Sequence, residues 1–421
     1  MAELRAGSFI ELQNNDKIKI LKEIGRGGQG IVYLSEYQGR HYAFKWYTKE
    51  YGDDFYKNLQ NNAENGAPSK AFLWPLLISK KQQGSFGYMM ELRQNGYRDF
   101  GDFLLAKTRF ASISAMINAA LQICEGFSQL HRNGYSYQDI NDGNFFIDPQ
   151  SGDVLICDND NVSAQGHNLG IMGKARYMAP EIVGGETPCK YSDFYSLGVI
   201  LFMLFYGNHP LEGRRVLNYP CMTEEAERKY FGSDALFIFD TNNRENEPVR
   251  GVHTNVIARW PLFTEPLRIA FTEAFSQKSM KNPTHRKIIS KWEPVFTKMR
   301  NRLITCEHCQ KETFIDLDKK SNCIQCGQPL ILRYKLKTQH NGTIALSGKK
   351  SVYLGKAQTQ MAQIRVNKKD PSLWALQNLS SVSWSVETAS GKLKEIPTND
   401  IMPIKPGLKI TFSQHEKGEI L

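Results

Sequence analysis

A glycine-rich run followed by a lysine is the first group of residues that could do chemistry. The run from Gly25 to Val32 reads G-x-G-x-x-G-x-V, and Lys45 follows its last glycine, Gly30, by fifteen residues. Backbone without Cβ atoms can close over a triphosphate, and a lysine in an apolar strand can bind the α- and β-phosphates. The pattern predicts a nucleotide site that includes Gly25, Gly27, Gly30, Val32 and Lys45.

Further polar residues follow in a fixed order along the middle of the chain. Asp139 and Asn144 have the spacing D-x-x-x-x-N, and Asp158 ends the apolar strand pattern of residues 154–157. The triplet Ala179-Pro180-Glu181 comes next. On these motifs, residues about 15–300 resemble the eukaryotic-like protein kinases. The resemblance implies that Arg286 pairs with Glu181, because it lies where the family has an arginine for that glutamate.

The resemblance implies a bilobal kinase fold of the α+β class and transfer of a phosphoryl group from ATP. Because the reaction spreads negative charge over the γ-phosphoryl oxygens, catalysis is mostly positioning and charge neutralisation. Asn144 and Asp158 offer the oxygen ligands that Mg²⁺ (or Mn²⁺) prefers. Asp139 would accept or orient the proton of the attacking hydroxyl, and Glu91 lies in the segment that resembles the adenine-binding hinge.

The residue before the catalytic acid departs from the family pattern. Gln138 stands where the family has an arginine that pairs with a phosphate on the activation loop. Residues 161–178 contain two hydroxyl side chains, Ser163 and Tyr177. We therefore predict activity without activation-loop phosphorylation.

Two other departures concern the residues after Asp158. Asn159 and Asp160 replace the aromatic residue and the glycine of the family's D-F-G. Asp160 could add a second carboxylate near the metal, but a turn is favoured because Asn and Asp are common turn formers.

The charges around Asp139 and Lys45 are also altered. Asn141 replaces a lysine that Ser/Thr kinases place near the transferring phosphate, and we hypothesise that Lys174 supplies the missing ammonium in catalysis. An exposed loop lysine is the alternative.

Counting along the chain leaves two helix residues, Glu64 and Gln60, as possible partners of Lys45.

Four cysteines near the C-terminal third form a metal-binding pattern. Cys306, Cys309, Cys323 and Cys326 read C-x-x-C, a spacer of thirteen residues, then C-x-x-C. Two turns that each present two thiolates provide four soft ligands for tetrahedral Zn²⁺. The pattern resembles a zinc ribbon, in which closed coordination serves folding and not catalysis.

The elements that would position these residues change in kind along the chain. Strand patterns over residues 17–45 give way to helical patterns such as 112–130, which indicates two lobes. The predicted domains are a kinase domain over 1–300 (lobes about 15–92 and 93–300), a zinc ribbon over 301–331 and a β-sandwich over 332–421. The tail faintly resembles forkhead-associated domains through the run Tyr353-Leu354-Gly355-Lys356, but it lacks their Ser-x-x-His element.

Composition limits the compartment and the partners. The formal net charge is +10, and most of the excess follows residue 332. A solvated basic surface is favoured over a nucleic-acid site because no aromatic-interleaved basic motif appears. No signal pattern opens the chain and no apolar run reaches the ~20 residues of a membrane span, so we expect a cytoplasmic protein.

The sequence thus predicts a protein Ser/Thr kinase with ATP, Mg²⁺ and a structural Zn²⁺. Its layout resembles bacterial kinases that occur with a von Willebrand-type protein and a metal-dependent protein phosphatase, which are the partners that this resemblance implies beside protein substrates. The alternative is a pseudokinase scaffold that binds nucleotide and docks partners through its C-terminal domains. Retention of Lys45, Asp139, Asn144 and Asp158 argues against that alternative.

Overall fold

The computed structural model describes residues 3–82, 84–170, 173–348, 350–354, 360–388 and 391–421. Gly355 and Lys356, quoted above for the tail, lie outside the described residues. The chain divides into two compact units. Unit 1 comprises residues 1–111, 118–259 and 270–290, and unit 2 comprises residues 112–117, 260–269 and 291–421.

Unit 1 begins with a six-stranded antiparallel sheet in the order β1-β2-β3-β4-β6-β5. Its strands are β1 (Phe9–Glu11), β2 (Lys17–Arg26), β3 (Gly30–Tyr37), β4 (Arg40–Tyr47), β5 (Leu77–Ile78) and β6 (Gly87–Met90). Helix α1 (Asp53–Asn65) follows β4 and buries Phe55, Leu59 and Asn62. The buried positions lie three and four residues apart, which is the spacing of one helix face.

The chain that follows is mostly helical, with short strand pairs that carry the polar motifs, and it belongs to unit 1 except for residues 112–117 and 260–269. The elements from β7 to α9 are β7 (Arg98–Asp99), α2 (Phe100–Leu104), α3 (Ile113–Arg132), β8 (Tyr135–Ser136), β9 (Phe145–Ile147), β10 (Val154–Ile156), β11 (Ser163–Ala164), α4 (Pro180–Val183), α5 (Lys190–Tyr206), α6 (Glu224–Glu227), α7 (Thr254–Arg259), α8 (Glu265–Ala274) and α9 (Gln277–Lys281). Helix α5 is apolar around its whole circumference and is buried from Ser192 onward except at Phe194. A helix of that kind forms the core of a domain.

Unit 2 contains the last helix and the second set of strands. They are α10 (Glu293–Arg302), β12 (Leu303–Thr305), β13 (Glu312–Phe314), β14 (Tyr334–Thr338), β15 (Thr343–Leu346), β16 (Ser351–Tyr353), β17 (Gln360–Val366), β18 (Trp374–Asn378), β19 (Trp384–Glu387), β20 (Leu393–Ile396), β21 (Ile401–Pro403), β22 (Lys409–Ser413) and β23 (Glu416–Ile420). Arg286 lies before the last helix, which begins at Glu293. The backbone of Arg286 is extended, at φ −64° and ψ 146°.

Two antiparallel sheets of unit 2 share one apolar core. Their strand orders are β15-β14-β23-β22-β19-β20 and β16-β17-β18-β21. Both sheets contribute to a single buried cluster, in which Trp384 meets Phe412 edge to face at 5.0 Å between ring centroids. The side chains of β18 alternate between buried and half-buried, as expected for a strand with one face on a core.

Candidate active site

Strand pairing places Lys45 beside the glycine-rich loop. Strand β4 runs antiparallel to β3, with Lys45 opposite Val32, so the lysine lies next to the loop that joins β2 to β3. The loop is closed by a hydrogen bond from the Gly27 amide to the Gly30 carbonyl at 2.9 Å. A Cβ atom on Gly30 would lie 2.3 Å from the carbonyl oxygen of Trp46, which no side chain can occupy. Gly30 is therefore required by the sheet as well as by the motif.

The ammonium of Lys45 is held by two carboxylates. Its Nζ lies 2.7 Å from Oδ2 of Asp160 and 3.3 Å from Oδ1 of Asp158, and it donates to Oε1 of Gln29 at 3.1 Å. Burial by itself lowers the pKa of Lys45, but the charges of Asp160 and Asp158 outweigh it and raise that pKa above its ordinary value. Lys45 is therefore a permanent cation with its head fixed in one place.

Neither predicted helix partner reaches Lys45. Glu64 is exposed on α1, and among the described residues Gln60 makes no hydrogen bond to the lysine. The buried polar residue on that face of the helix is Asn62, whose amide donates to the Val162 carbonyl at 2.8 Å. Neither of the two candidates left open by counting, Glu64 and Gln60, is therefore the partner of Lys45 in this structure, and the buried residues of the helix are apolar or amide side chains.

The loop that carries Asp139 and Asn144 is short and internally bonded. Asn141 donates from Nδ2 to Oδ1 of Asp139 at 3.1 Å, and Asn144 donates from Nδ2 to the Asp139 carbonyl at 2.7 Å. Desolvation raises the pKa of Asp139 to about 6, with a smaller raising effect from Asp158, while Asn141 and Lys174 oppose the rise. The Asp139 carboxylate is therefore more basic than an ordinary aspartate.

A buried aspartate of α5 holds the same loop from behind. Asp193 accepts hydrogen bonds from the backbone amides of Tyr137 at 2.8 Å and Gln138 at 3.1 Å. Its Oδ2 also lies 2.9 Å from Nε2 of His131. The positive φ of Gln138, 72°, is stabilised by these contacts. This role of Asp193 was not predicted, although an aspartate at the start of the apolar helix was a usable signal.

Lys174 lies beside the loop without touching Asp139 in a direct ion pair. Its Nζ donates to Oδ1 of Asn141 at 3.2 Å and lies 3.7 Å from Oδ1 of Asp142. The side chain is 63% exposed, so its ammonium is well solvated. Asn141 connects Lys174 to Asp139 by one hydrogen bond on each side.

Two predicted site residues lie at the edges of this arrangement. Asp158 follows β10 in a left-handed conformation, φ 54° and ψ 47°, and its side chain is 44% exposed. Glu91 follows β6 directly and is exposed, so its backbone and not its side chain is positioned to meet a base. Glu181 and Arg286 form the expected ion pair, with NH1 of Arg286 2.6 Å from Oε1.

Comparison with known proteins identifies the fold that arranges these residues. Residues 18–234 match the family described as protein kinase domain. The chain belongs to the protein kinase family. The match confirms the predicted bilobal kinase fold for that region, and such a domain implies ATP and Mg²⁺.

The kinase chain has similar relatives among bacterial and animal kinases. It is 25% identical over 222 residues to "Serine/threonine-protein kinase PrkC" of Bacillus subtilis, covering 50% of this chain and 34% of the relative. It is 25% identical over 213 residues to "Probable serine/threonine-protein kinase PknB" of Corynebacterium glutamicum, 47% of this chain and 32% of the relative. For "Protein kinase C delta type" of Rattus norvegicus the figures are 29% over 205 residues, 46% and 29%.

The chain thus spans about a third of the length of these curated relatives. The family match and the two bacterial relatives support the predicted enzyme class, a protein kinase of the serine/threonine type. Among the described residues, no helix is both long enough and apolar enough to cross a membrane.

The two residues that depart from the kinase pattern after Asp158 both make buried contacts. Asn159, at the aromatic position of D-F-G, is fully buried and donates to the carbonyls of Leu73 at 2.9 Å and Ile156 at 3.0 Å. Asp160 does lie in a turn, residues 159–161. The turn interpretation is incomplete, however, since the Asp160 carboxylate is fully buried against Lys45.

Gln138, at the kinase arginine position, binds the activation loop through neutral hydrogen bonds. Its Nε2 donates to Oγ of Ser163 at 2.6 Å and to the carbonyl of His167 at 2.7 Å. Ser163 is fully buried and Tyr177 is 3% exposed. The two hydroxyl side chains of the loop are therefore inaccessible to a modifying enzyme in this conformation.

The four cysteines converge on one point of unit 2. The Sγ atoms of Cys306, Cys309, Cys323 and Cys326 all lie within 4.8 Å of one another. Each pair lies on the same kind of turn: Gln310 and Gly327, four residues after the first cysteine of each pair, have φ of 57° and 71°. Their amides donate to the carbonyls of Cys306 and Cys323 at 3.0 and 2.9 Å. Four sulfur atoms at these separations suit a tetrahedral metal ion.

Proposed function

We propose that the chain transfers the γ-phosphoryl group of ATP to serine or threonine hydroxyls of partner proteins. The observation that carries this proposal is the desolvated carboxylate of Asp139, with a pKa of about 6, in a loop shared with Asn144. Such a group is ionised at neutral pH and still basic enough to accept a hydroxyl proton. The serine/threonine class of the relatives supports the choice of acceptor.

Mg²⁺ fits the oxygen atoms on Asn144 and Asp158. The Asp158 carboxylate is partly exposed, so it can bind a metal ion while it contacts Lys45. The Asn144 side chain donates through its amide nitrogen, which leaves its amide oxygen for the metal. When bound, the ion would neutralise charge on the phosphates. Lys45 would hold the α- and β-phosphates, and Asp139 would accept or orient the acceptor proton.

We propose that Lys174 supplies the ammonium that Asn141 replaces. Asn141 holds the two groups together, since it donates to Asp139 and accepts from Lys174. A cation at this position stabilises the charge of the transferring group, although solvation of the exposed side chain weakens the effect.

The acceptor would approach through a groove beside Lys174. This groove has a volume of about 670 Å³ and is lined by residues 173–178 together with Glu224, Glu227 and Arg228 of the following helical segment. It runs past Gly173, which is so close to Asp139 that a Cβ atom there would lie 3.1 Å from Oδ1. An extended peptide in the groove would bring its hydroxyl to the catalytic carboxylate.

We propose activity without activation-loop phosphorylation, and the contacts of Gln138 support this proposal. In the family pattern an arginine needs a phosphate as its partner, whereas the Gln138 amide already binds Ser163 and the His167 carbonyl. The loop therefore has a neutral anchor that needs no modification.

The decisive experiment measures transfer of radiolabelled phosphate to mixed protein substrates. Wild type and the surface variant Asp400→Asn should incorporate label, and Asp139→Asn should lose about 10²–10⁴-fold in rate. Mass spectrometry of the wild-type enzyme should find no phosphate on Ser163 or Tyr177. ATP binding without transfer by wild type would refute catalysis and support the pseudokinase scaffold.

We further propose that the four-cysteine cluster holds a structural zinc ion in a ribbon and that residues 332–421 form a forkhead-associated-like sandwich for docking proteins. The similar turns under the two cysteine pairs support the zinc ion, and the shared core of the two sheets supports the sandwich. By that resemblance alone, a von Willebrand-type protein and a metal-dependent protein phosphatase are the proposed partners.

A further inference from the structure

Lys45 has an unusual anchor for a phosphate-binding lysine. In the family pattern its partner is a carboxylate on the helix that corresponds to α1. Here that helix carries its carboxylates elsewhere: Glu64 is exposed, and Asp53 pairs with Lys81 at the surface. The buried positions of that helix hold Phe55, Leu59 and Asn62, none of which carries a carboxylate.

The carboxylate that contacts Lys45 most closely comes from the turn after Asp158. Asp160 has no exposed side-chain surface, and its Oδ2 accepts from Lys45 Nζ at 2.7 Å and from the Tyr47 hydroxyl at 2.6 Å. Lys45 and Tyr47 are two residues apart on β4 and so project from the same face of the strand. One carboxylate oxygen therefore ties together two neighbouring side chains of the same strand.

Tyr47 is itself fixed by packing. Its ring is fully buried and lies edge to face with Phe55 at 5.4 Å and close to Phe86 at 5.0 Å between centroids. Burial raises the pKa of its hydroxyl well above the ordinary value, so it remains a hydrogen-bond donor. Asp160 thus has two donors whose positions do not depend on solvent.

We propose that Asp160 is the positioning residue for Lys45 and takes over the role that the family assigns to the helix carboxylate. The inference rests on the proposed nucleotide chemistry of the site. Because Asp160 and Asp158 belong to one turn, the phosphate-binding lysine and the metal-binding aspartate are positioned by the same three residues. Movement of α1 then no longer decides whether Lys45 is in place.

The test compares the affinities of ATP and adenosine for the full chain by calorimetry. Asp160→Asn leaves size and burial nearly unchanged but removes the charge, so ATP affinity should fall tenfold or more while adenosine affinity changes less than twofold. Tyr47→Phe, a milder change, should weaken ATP binding two- to fivefold with the same selectivity. The exposed Glu64→Gln should leave both affinities within twofold of wild type.

The selectivity separates positioning from a loss of folding. If Asp160→Asn and Tyr47→Phe weaken ATP and adenosine equally, or if Glu64→Gln gives the largest loss of ATP affinity, the assignment is wrong. These binding measurements stand apart from phosphoryl transfer: a wild type that transfers no phosphate would refute the proposed function, yet the ATP-to-adenosine ratio would still decide the role of Asp160.

Discussion

Lowering the pH is the perturbation whose effect on catalysis can be worked out most fully from the site. Desolvation raises the pKa of Asp139 to about 6, and the ionised form is the one that accepts a proton. The rate constant kcat/KM should therefore be half of its plateau near pH 6 and about a tenth of it near pH 5, as for loss of one ionised base.

The neighbours of Asp139 provide the internal check on this profile. The hydrogen bond from Asn141 and the charge of Lys174 both lower the pKa of Asp139. Asn141→Ala and Lys174→Ala should each move the acid limb to higher pH, with the larger movement for Asn141→Ala because that contact is direct. A movement of one pH unit corresponds to about 1.4 kcal/mol.

The assay measures initial rates from pH 5 to 9 with MgATP and one peptide substrate, corrected for substrate ionisation. The exposed Lys319→Ala serves as the matched control for loss of a positive charge, and its limb should coincide with that of wild type. The reasoning is refuted if the acid limb of the wild-type kcat/KM profile lies near pH 4, or if Asn141→Ala leaves that limb in place. Either result would show that the buried Asp139 carboxylate does not limit the rate.

Four further outcomes are expected. Asp139→Asn should raise the melting temperature of unit 1 at pH 7.5, since the raised pKa makes the ionised form unfavourable in the folded state, and this advantage should vanish in thermal scans as the pH falls toward 4. Gly30→Ala should abolish measurable ATP binding in a calorimetric titration, because its Cβ would lie 2.3 Å from the Trp46 carbonyl oxygen. Glu181→Ala should lower the free energy of unfolding in urea by about 3 kcal/mol, because it leaves buried Arg286 without its carboxylate. Chelation of zinc from the four-cysteine cluster should lower the melting temperature of unit 2 while kcat of unit 1 stays within twofold, with metal release followed by a chromogenic chelator.

The motifs of the site were predictable because each carries its geometry within a few residues. The glycine-rich loop sets the β2–β3 hairpin, and pairing of β3 with β4 then brings Lys45 opposite Val32. Asp139 and Asn144 are joined by a hydrogen bond across five residues. Residues so close in the chain have few possible arrangements, so the sequence motif is enough to predict their relative positions.

The anchor of Lys45 was not predictable in the same way. Asp160 contacts a lysine 115 residues away, and nothing local distinguishes a buried carboxylate from one that caps a turn. Counting also left Glu64 and Gln60 as possible helix partners of Lys45 for a related reason. The number of residues along the chain does not set the rotation of α1 about its axis. Packing of Phe55 and Leu59 sets that rotation and leaves Glu64 in solvent.

Gln138, Asn159 and Asp160 replace three family residues, and each makes polar contacts of its own, which are buried for Asn159 and Asp160 and partly exposed for Gln138. Gln138 binds the activation loop without a phosphate, Asn159 binds the Leu73 carbonyl, and Asp160 binds Lys45 without a helix carboxylate. Hydrogen-bonded networks that are buried in this way rigidify a site. All three residues lie within two positions of Asp139 or Asp158, so the acids proposed for catalysis and for metal binding are supported by their neighbours in the chain. We therefore expect the Lys45 anchor and the loop of Asp139 to be in place without modification of the chain.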